Sequence, residues 1–364
     1  MDVEKRDAVL SQGDRLAFID ALRGVAVLFV VAHHVGLYLN PMGYMPWAFA
    51  NFDMGQFGVM VFFVCSGFVI PASLQRNTSL KDFWVRRFFR LYPLYWVSAI
   101  IATSMYVLHA VPPERPLSHQ PLQELMVAEP LKTVLANTTM VPSLFGSYSL
   151  IAPYWTLELE MLFYVLVSVL AVTKLASRTV PVVLFFMALA VGGGVMAFGL
   201  EEPVPVYIAA MFSGTVLYGL HTGTLSSRTV LGVMGLSVAA LATAAFFYAK
   251  GGIIWGLGSM LLAWGGPILL VTAATFLSRS LTVPSGLLWL GRISYSVYLM
   301  HLLLLVAIPP TGNIVTTILV WLAAIFLVSA VTYRLVERPA MNLGRRLTSP
   351  RGDNAPSPAP APAS

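Results

Sequence analysis

Arg23 and His34 are the first residues of this chain whose types and spacing suit them to chemistry. They stand eleven positions apart, within LRGVAVLFVVAHH, residues 22–34. Eleven steps of about 100° bring a helix back to within about 20° of its starting direction. A helix here puts both residues on one face, about 16 Å apart along the axis. Asp20 precedes Arg23 by three residues and can pair with it. A histidine, with its pKa near neutrality, is a candidate general base. Ionisable groups within so apolar a stretch face a cavity or a partner. Plainer readings stay open: an arginine snorkelling at a helix end, and a core histidine hydrogen-bonded to a neighbouring helix. His33 points about 100° away from His34 and reads as structural.

Three further stretches carry candidate chemistry. In DFWVRRFFRLYPLYW (82–96), Arg86, Arg87 and Arg90 are three and four apart and can line one side of a helix. Such a fork of guanidiniums suits a phosphorylated ligand, for instance the nucleotide part of coenzyme A. It equally suits lipid phosphates beside an interfacial helix. In PYWTLELEMLFYV (153–165), Glu158 and Glu160 are two apart and face away from each other on a helix, so at most one enters a given cavity. That residue can orient a histidine or bind sugar hydroxyls, or simply complement a helix dipole. In GRISYSVYLMH (291–301), Tyr298 and His301 are three apart and can be neighbours. Groups of this kind more often lock helices together than react. Glu337 is expected to pair with arginines near it and to be structural.

The elements that must position these residues are membrane helices. Of 364 residues, 57% are hydrophobic and 10% charged, whereas soluble domains carry about 25% charged residues. The apolar runs are continuous, which argues against a β-barrel. The expected fold is therefore all-α and polytopic. Ten spans are expected, roughly 18–39, 57–74, 91–109, 153–173, 180–199, 204–221, 229–249, 253–277, 287–308 and 312–333. The sixth holds Gly214 and Gly219, which let a neighbour approach closely. Of the cations outside the spans, only Arg115, Lys132 and Lys250 fall on one side, which predicts both termini in the cytoplasm. Glu158 and Glu160 then begin their span at the outer side. The long connection 110–152 also lies outside, where it can cap a cavity or help bind an acceptor. Residues 1–17 form a polar cytoplasmic segment with no cleaved leader, and 18–347 the transmembrane domain. The Pro/Ala/Ser-rich tail 348–364 is expected to be disordered. The net charge of +6 is scattered through loops, so it does not point to nucleic acid. Cys65 is the only cysteine, which rules out an intramolecular disulfide. No metal-ligand spacing, phosphate loop or nucleophile elbow is present.

Taken in order, these stretches resemble the membrane-bound acyltransferase 3 family. FIDALRGVAVLFVVAHH is similar to its first-helix signature and FGVMVFFVCSGFVI to its second helix. FWVRRFFRLYPLYW carries its Arg-x-x-Arg motif at Arg87 and Arg90. YWTLELEMLFY, beginning at Tyr154-Trp155, is similar to its Trp-Thr/Ser-Leu…Glu…Phe-Tyr motif and selects Glu160 over Glu158. ISYSVYLMH and VERPAM are similar to its closing motifs. The resemblance covers about residues 17–343. It implies transfer of an acyl group, usually acetyl, from acyl-CoA as co-substrate to a hydroxyl of a glycan, lipid-linked glycan or macrolide. No permanently bound cofactor is implied. By the same resemblance His34 is the catalytic histidine, as general base or as acyl carrier, and Arg23 supports it. Glu160 orients or charge-balances the site, while Arg87 and Arg90 join Arg86 at the donor. Asp20, Trp155, Tyr298 and His301 support. A multi-pass protein of the bacterial inner membrane is implied, the alternative being a glycan or lipid transporter or flippase.

Overall fold

A computed structural model describes residues 3–39, 52–76, 79–118, 121–196, 203–250, 256–278, 280 and 282–348. The tail expected from 348 lies outside the described residues beyond Thr348. The helices are α1 (Val3–Leu39), α2 (Met54–Arg76), α3 (Leu80–Val107), α4 (Pro121–Ala128), α5 (Pro130–Thr138), α6 (Trp155–Val172) and α7 (Thr179–Met196). They continue as α8 (Val204–His221), α9 (Ser227–Lys250), α10 (Leu257–Leu277), α11 (Ser285–Ala307), α12 (Ile314–Thr332) and α13 (Arg338–Thr348). A π turn, Tyr333–Glu337, joins the last two. No strand occurs among the described residues.

Within the described residues all ten expected runs fall on helices. Among the described residues eight helices are long and apolar enough to cross a membrane, which makes the chain a multi-pass membrane protein. α7 is apolar but shorter, over Thr179–Val195. α3 has 28 residues, yet Lys81, Asp82, Arg86, Arg87 and Arg90 load its first three turns with charge. Its start is set by Ser79, whose hydroxyl accepts from the Asp82 amide (3.1 Å), satisfying a donor with no partner inside the helix. α1 begins at Val3, well before the apolar run expected at 18.

α1, α2 and α11 form the hub. α1 packs along both α2 and α11, and α2 also carries α8 and α10. α3 and α6 close the hub, and α13 folds back onto α3. Of the eight spans α11 is the most enclosed and α12 the most exposed. Close approach requires glycine where these helices cross. A Cβ on Gly214 of α8 would sit 2.0 Å from the Val64 carbonyl oxygen of α2, and one on Gly291 of α11 would sit 1.9 Å from that of Asp20 in α1. Gly291→Ala is therefore expected to lower stability by about 1–3 kcal/mol, as overpacking does. Thermal unfolding in detergent checks this; an unchanged Tm would mean that α1 and α11 separate without loss.

Candidate active site

The hub encloses two cavities. The first, a basic chamber of about 90 Å³, is lined by Arg23 of α1, Arg87 and Arg90 of α3, Glu160 and Tyr164 of α6, Tyr295 of α11, and Cys65 of α2 among others. The second, a vestibule of about 490 Å³, is lined by His33, His34 and Tyr38 of α1, Asp53, Gln56, Trp155, Glu114 and Tyr298 among others.

In the chamber the two α3 arginines are held differently. Arg90 forms an ion pair with Glu337, which is 1% exposed. The other Glu337 oxygen accepts from Ser296 (2.6 Å). The π turn places Glu337 here: the Arg338 amide bonds to the Tyr333 carbonyl, five residues back. The Arg90 guanidinium also lies 5.6 Å over the Tyr295 ring. Arg87 sits 5.5 Å from the rings of both Phe83 and Tyr164, and its buried Nε has no partner among the described residues. Glu160 accepts a hydrogen bond from Tyr164, one helical turn on. Three guanidiniums thus face two carboxylates, counting Glu337 behind Arg90, which leaves an excess of positive charge for an anion.

In the vestibule His34 Nδ1 lies 2.9 Å from the Val30 carbonyl and 3.3 Å from Nε2 of His301. His301 Nδ1 lies 3.1 Å from the Val297 carbonyl. Carbonyls only accept, so these partners assign the proton of each neutral ring to Nδ1. His34 then shares its N–H between Val30 and His301. Its Nε2 carries a lone pair that no described residue binds. His33 faces Asp53, Nδ1 to Oδ1 3.5 Å. Burial raises the Asp53 carboxyl above its ordinary pKa, and the Gln56 and Gly55 amides pull against that. Trp155 stands 5.0 Å from Tyr207 and 6.3 Å from Phe63, ring to ring. Tyr38 ties the long connection to the site by donating to the Pro116 carbonyl (2.8 Å). Arg115 points away: its buried guanidinium caps the end of α11 at Leu305 and Ile308 (2.9 and 3.0 Å).

The expected residues therefore divide. Arg23, Arg87, Arg90 and Glu160 converge on the chamber, whereas His34, Trp155 and His301 gather at the vestibule, and Tyr298 touches both. Glu160, expected to act from the outer side, instead sits among the arginines. It is five residues into α6, about 7 Å along the axis, and that rise carries it past the vestibule. Glu158 is the one left in the first turn of α6, where it accepts from Ser143. Arg86 leaves the fork, because its Nε donates to Thr348 of α13 (2.7 Å) and it lines neither cavity. Asp20 closes no ion pair with Arg23 among the described residues. Its backbone is instead the surface against which Gly291 packs. Glu337 pairs with an arginine as expected. Sequence reasoning passed over Tyr164, Val59 and Asp53, and placed Tyr295 only within a run of hydrogen-bonding groups along its helix. Tyr164 was within reach, one helical turn from Glu160; Asp53 carries no local signal.

A helical membrane protein with a buried basic chamber beside a histidine vestibule is the class that fold and site define. The family model described as "Acyltransferase domain" matches residues 16–336, and the chain belongs to the acyltransferase 3 family. It is an acyltransferase. The exopolysaccharide production protein ExoZ of Rhizobium meliloti is 29% identical over 81% of this chain and 92% of its own. The peptidoglycan O-acetyltransferase OatA of Listeria monocytogenes is 25% identical over 90% of this chain, which spans 56% of that protein's length. The O-acetyl transferase of Shigella phage Sf6 is 26% identical over 48% of this chain and 52% of its own. No solved structure matches the chain.

Proposed function

We propose that this protein moves an acyl group, acetyl in the simplest case, from acyl-CoA to a hydroxyl of a surface glycan, lipid-linked glycan or glycosylated natural product at the bacterial inner membrane. The observation that carries the reading is the adjacency of the two cavities, one lined by arginines and the other by His34 with a free lone pair. The arginine-rich end faces the cytoplasm, as the cation distribution predicts. Donor phosphates meet Arg87, Arg23 and Arg90, the last held in place by Glu337. Trp155, Gln56 and Glu114 offer a ring face and polar groups to a sugar. His34 Nε2 takes the proton of the acceptor hydroxyl as its oxygen attacks the thioester carbonyl. The new C–O bond forms, the C–S bond breaks, and the proton passes to the departing thiolate. His301 accepts from His34 Nδ1–H and steadies the imidazolium.

Two measurements test this. Mass spectrometry of surface glycans and secreted metabolites, from cells with and without the protein, is expected to show an acyl ester only where the protein is present. No difference in any ester would overturn the reading. Arg87→Ala removes the guanidinium with an unpartnered Nε. It is expected to raise KM for acyl-CoA by about ten- to a hundredfold, the loss of one charge-assisted contact of about 1.5–3 kcal/mol, with a smaller change in kcat. An unchanged KM would move the donor site elsewhere.

A further inference from the structure

Among the described residues only Val59 of α2 and Tyr298 of α11 line both cavities. Both are buried. The Tyr298 hydroxyl also bridges the two walls. It lies 2.7 Å from Thr156 Oγ1, which lines the chamber, and donates over 3.0 Å to the Pro153 carbonyl, beside the vestibule. Thr156 donates to the same carbonyl (2.9 Å). Phe62, another chamber residue, meets the Tyr298 ring edge-on at 5.8 Å. The phenol is thus latched at its tip and braced at its side, on the boundary between the arginines and His34.

We propose that Tyr298 and Val59 form a septum that the acyl group must cross, and that its width sets the longest acyl chain transferred. The inference rests on the donor reading above. If the donor's phosphates lie among the arginines and the base lies in the vestibule, the thioester carbonyl has to meet the acceptor at the boundary. The reaction is the transfer already balanced: the C–S bond breaks, a C–O bond forms, and the hydroxyl proton leaves through His34 to the thiolate. What the septum adds is a size limit on the carbon chain behind that carbonyl. Packed protein interiors do not absorb extra methylenes without shifting side chains. A two-carbon group needs only the latch to open; a longer one needs the septum remade. Both latch bonds involve hydroxyls and one shared carbonyl, so the ring is released without breaking the helices that carry it.

Val59→Ala shaves two methyls from the septum and leaves the latch. Tyr298→Phe keeps the ring and removes the latch. The full chain, purified in detergent, is given acetyl-, butyryl- or hexanoyl-CoA. The acceptor is a glycan extract from cells lacking the protein. Thiol release and the carboxylates recovered from the product by saponification are both measured. Wild type is expected to favour acetyl strongly. In Val59→Ala the ratio of butyryl to acetyl kcat/KM is expected to rise at least tenfold, and in Tyr298→Phe about threefold in the same direction. A residue that merely stabilises the bundle would lower all donors together and leave the ratio fixed. Fixed ratios in folded Val59→Ala would overturn the septum while leaving the donor reading intact. Wild type that releases no thiol from any acyl-CoA would overturn the donor reading and the septum with it. Should Tyr298→Phe fail to fold, Val59→Ala alone still decides.

Discussion

His34→Ala is expected to lower acyl transfer by a factor of about 10²–10⁴, the range that a positioned general base contributes. The protein should still reach the membrane folded. His34 is only half-buried, and what it gives up is a bond to the carbonyl of its own helix and one to His301. No buried charge loses a partner. The loss falls on the reaction because the lone pair at Nε2 can accept a hydroxyl proton while Nδ1 is anchored at the Val30 carbonyl. His301→Ala is expected to cost less, since it removes the acceptor of the His34 N–H and keeps the base. The two variants are compared by ester content of the surface glycan, normalised to protein detected in the membrane. A fully active His34→Ala would place the base elsewhere, with His33 and its Asp53 partner next in line.

The expectation that Arg23 and His34 share a face rested on helical periodicity, and they do lie on one helix, yet they open into different cavities. Periodicity gives direction around the axis. It says nothing of where a neighbouring helix intrudes along it, and here Val59 and Tyr298 intrude between them. The arginine fork shows the same limit. Spacings of three and four both place residues on a shared side, so spacing alone does not say which pair turns inward, although the Arg-x-x-Arg motif marks Arg87 and Arg90. Arg87 and Arg90 do, and Arg86 is taken by Thr348, 262 positions away. The spans themselves were legible because length and continuous apolarity are local properties, set by the bilayer. The contacts that make the site are not local. His34 meets His301 across 267 positions, and Arg90 meets Glu337 across 247. Ordered motifs matching a family could indicate that such residues belong together, but not that Glu160 would join the arginines and not His34. That followed from the rise along α6.

Glu337→Ala is expected to destabilise the protein by about 3–5 kcal/mol, the usual consequence of removing one partner of a buried ion pair. Glu337 is almost wholly enclosed and holds two donors, the Arg90 guanidinium and the Ser296 hydroxyl. Its removal leaves a partly buried cation without its carboxylate and a hydroxyl without an acceptor, and it unpins the π turn from α3 and α11. Thermal unfolding of the detergent-purified chain reads the loss. The double variant Arg90→Met with Glu337→Leu separates structure from chemistry. Replacing both ions by apolar groups of similar volume is often neutral, so most of the stability should return. Transfer should not, because Arg90 lines the chamber and is one of the guanidiniums offered to the donor. If the single variant melted with wild type, the pair would not be what fixes α13 onto the bundle. If the double variant recovered transfer as well as stability, Arg90 would be a structural counter-ion and Arg23 and Arg87 would have to hold the donor between them.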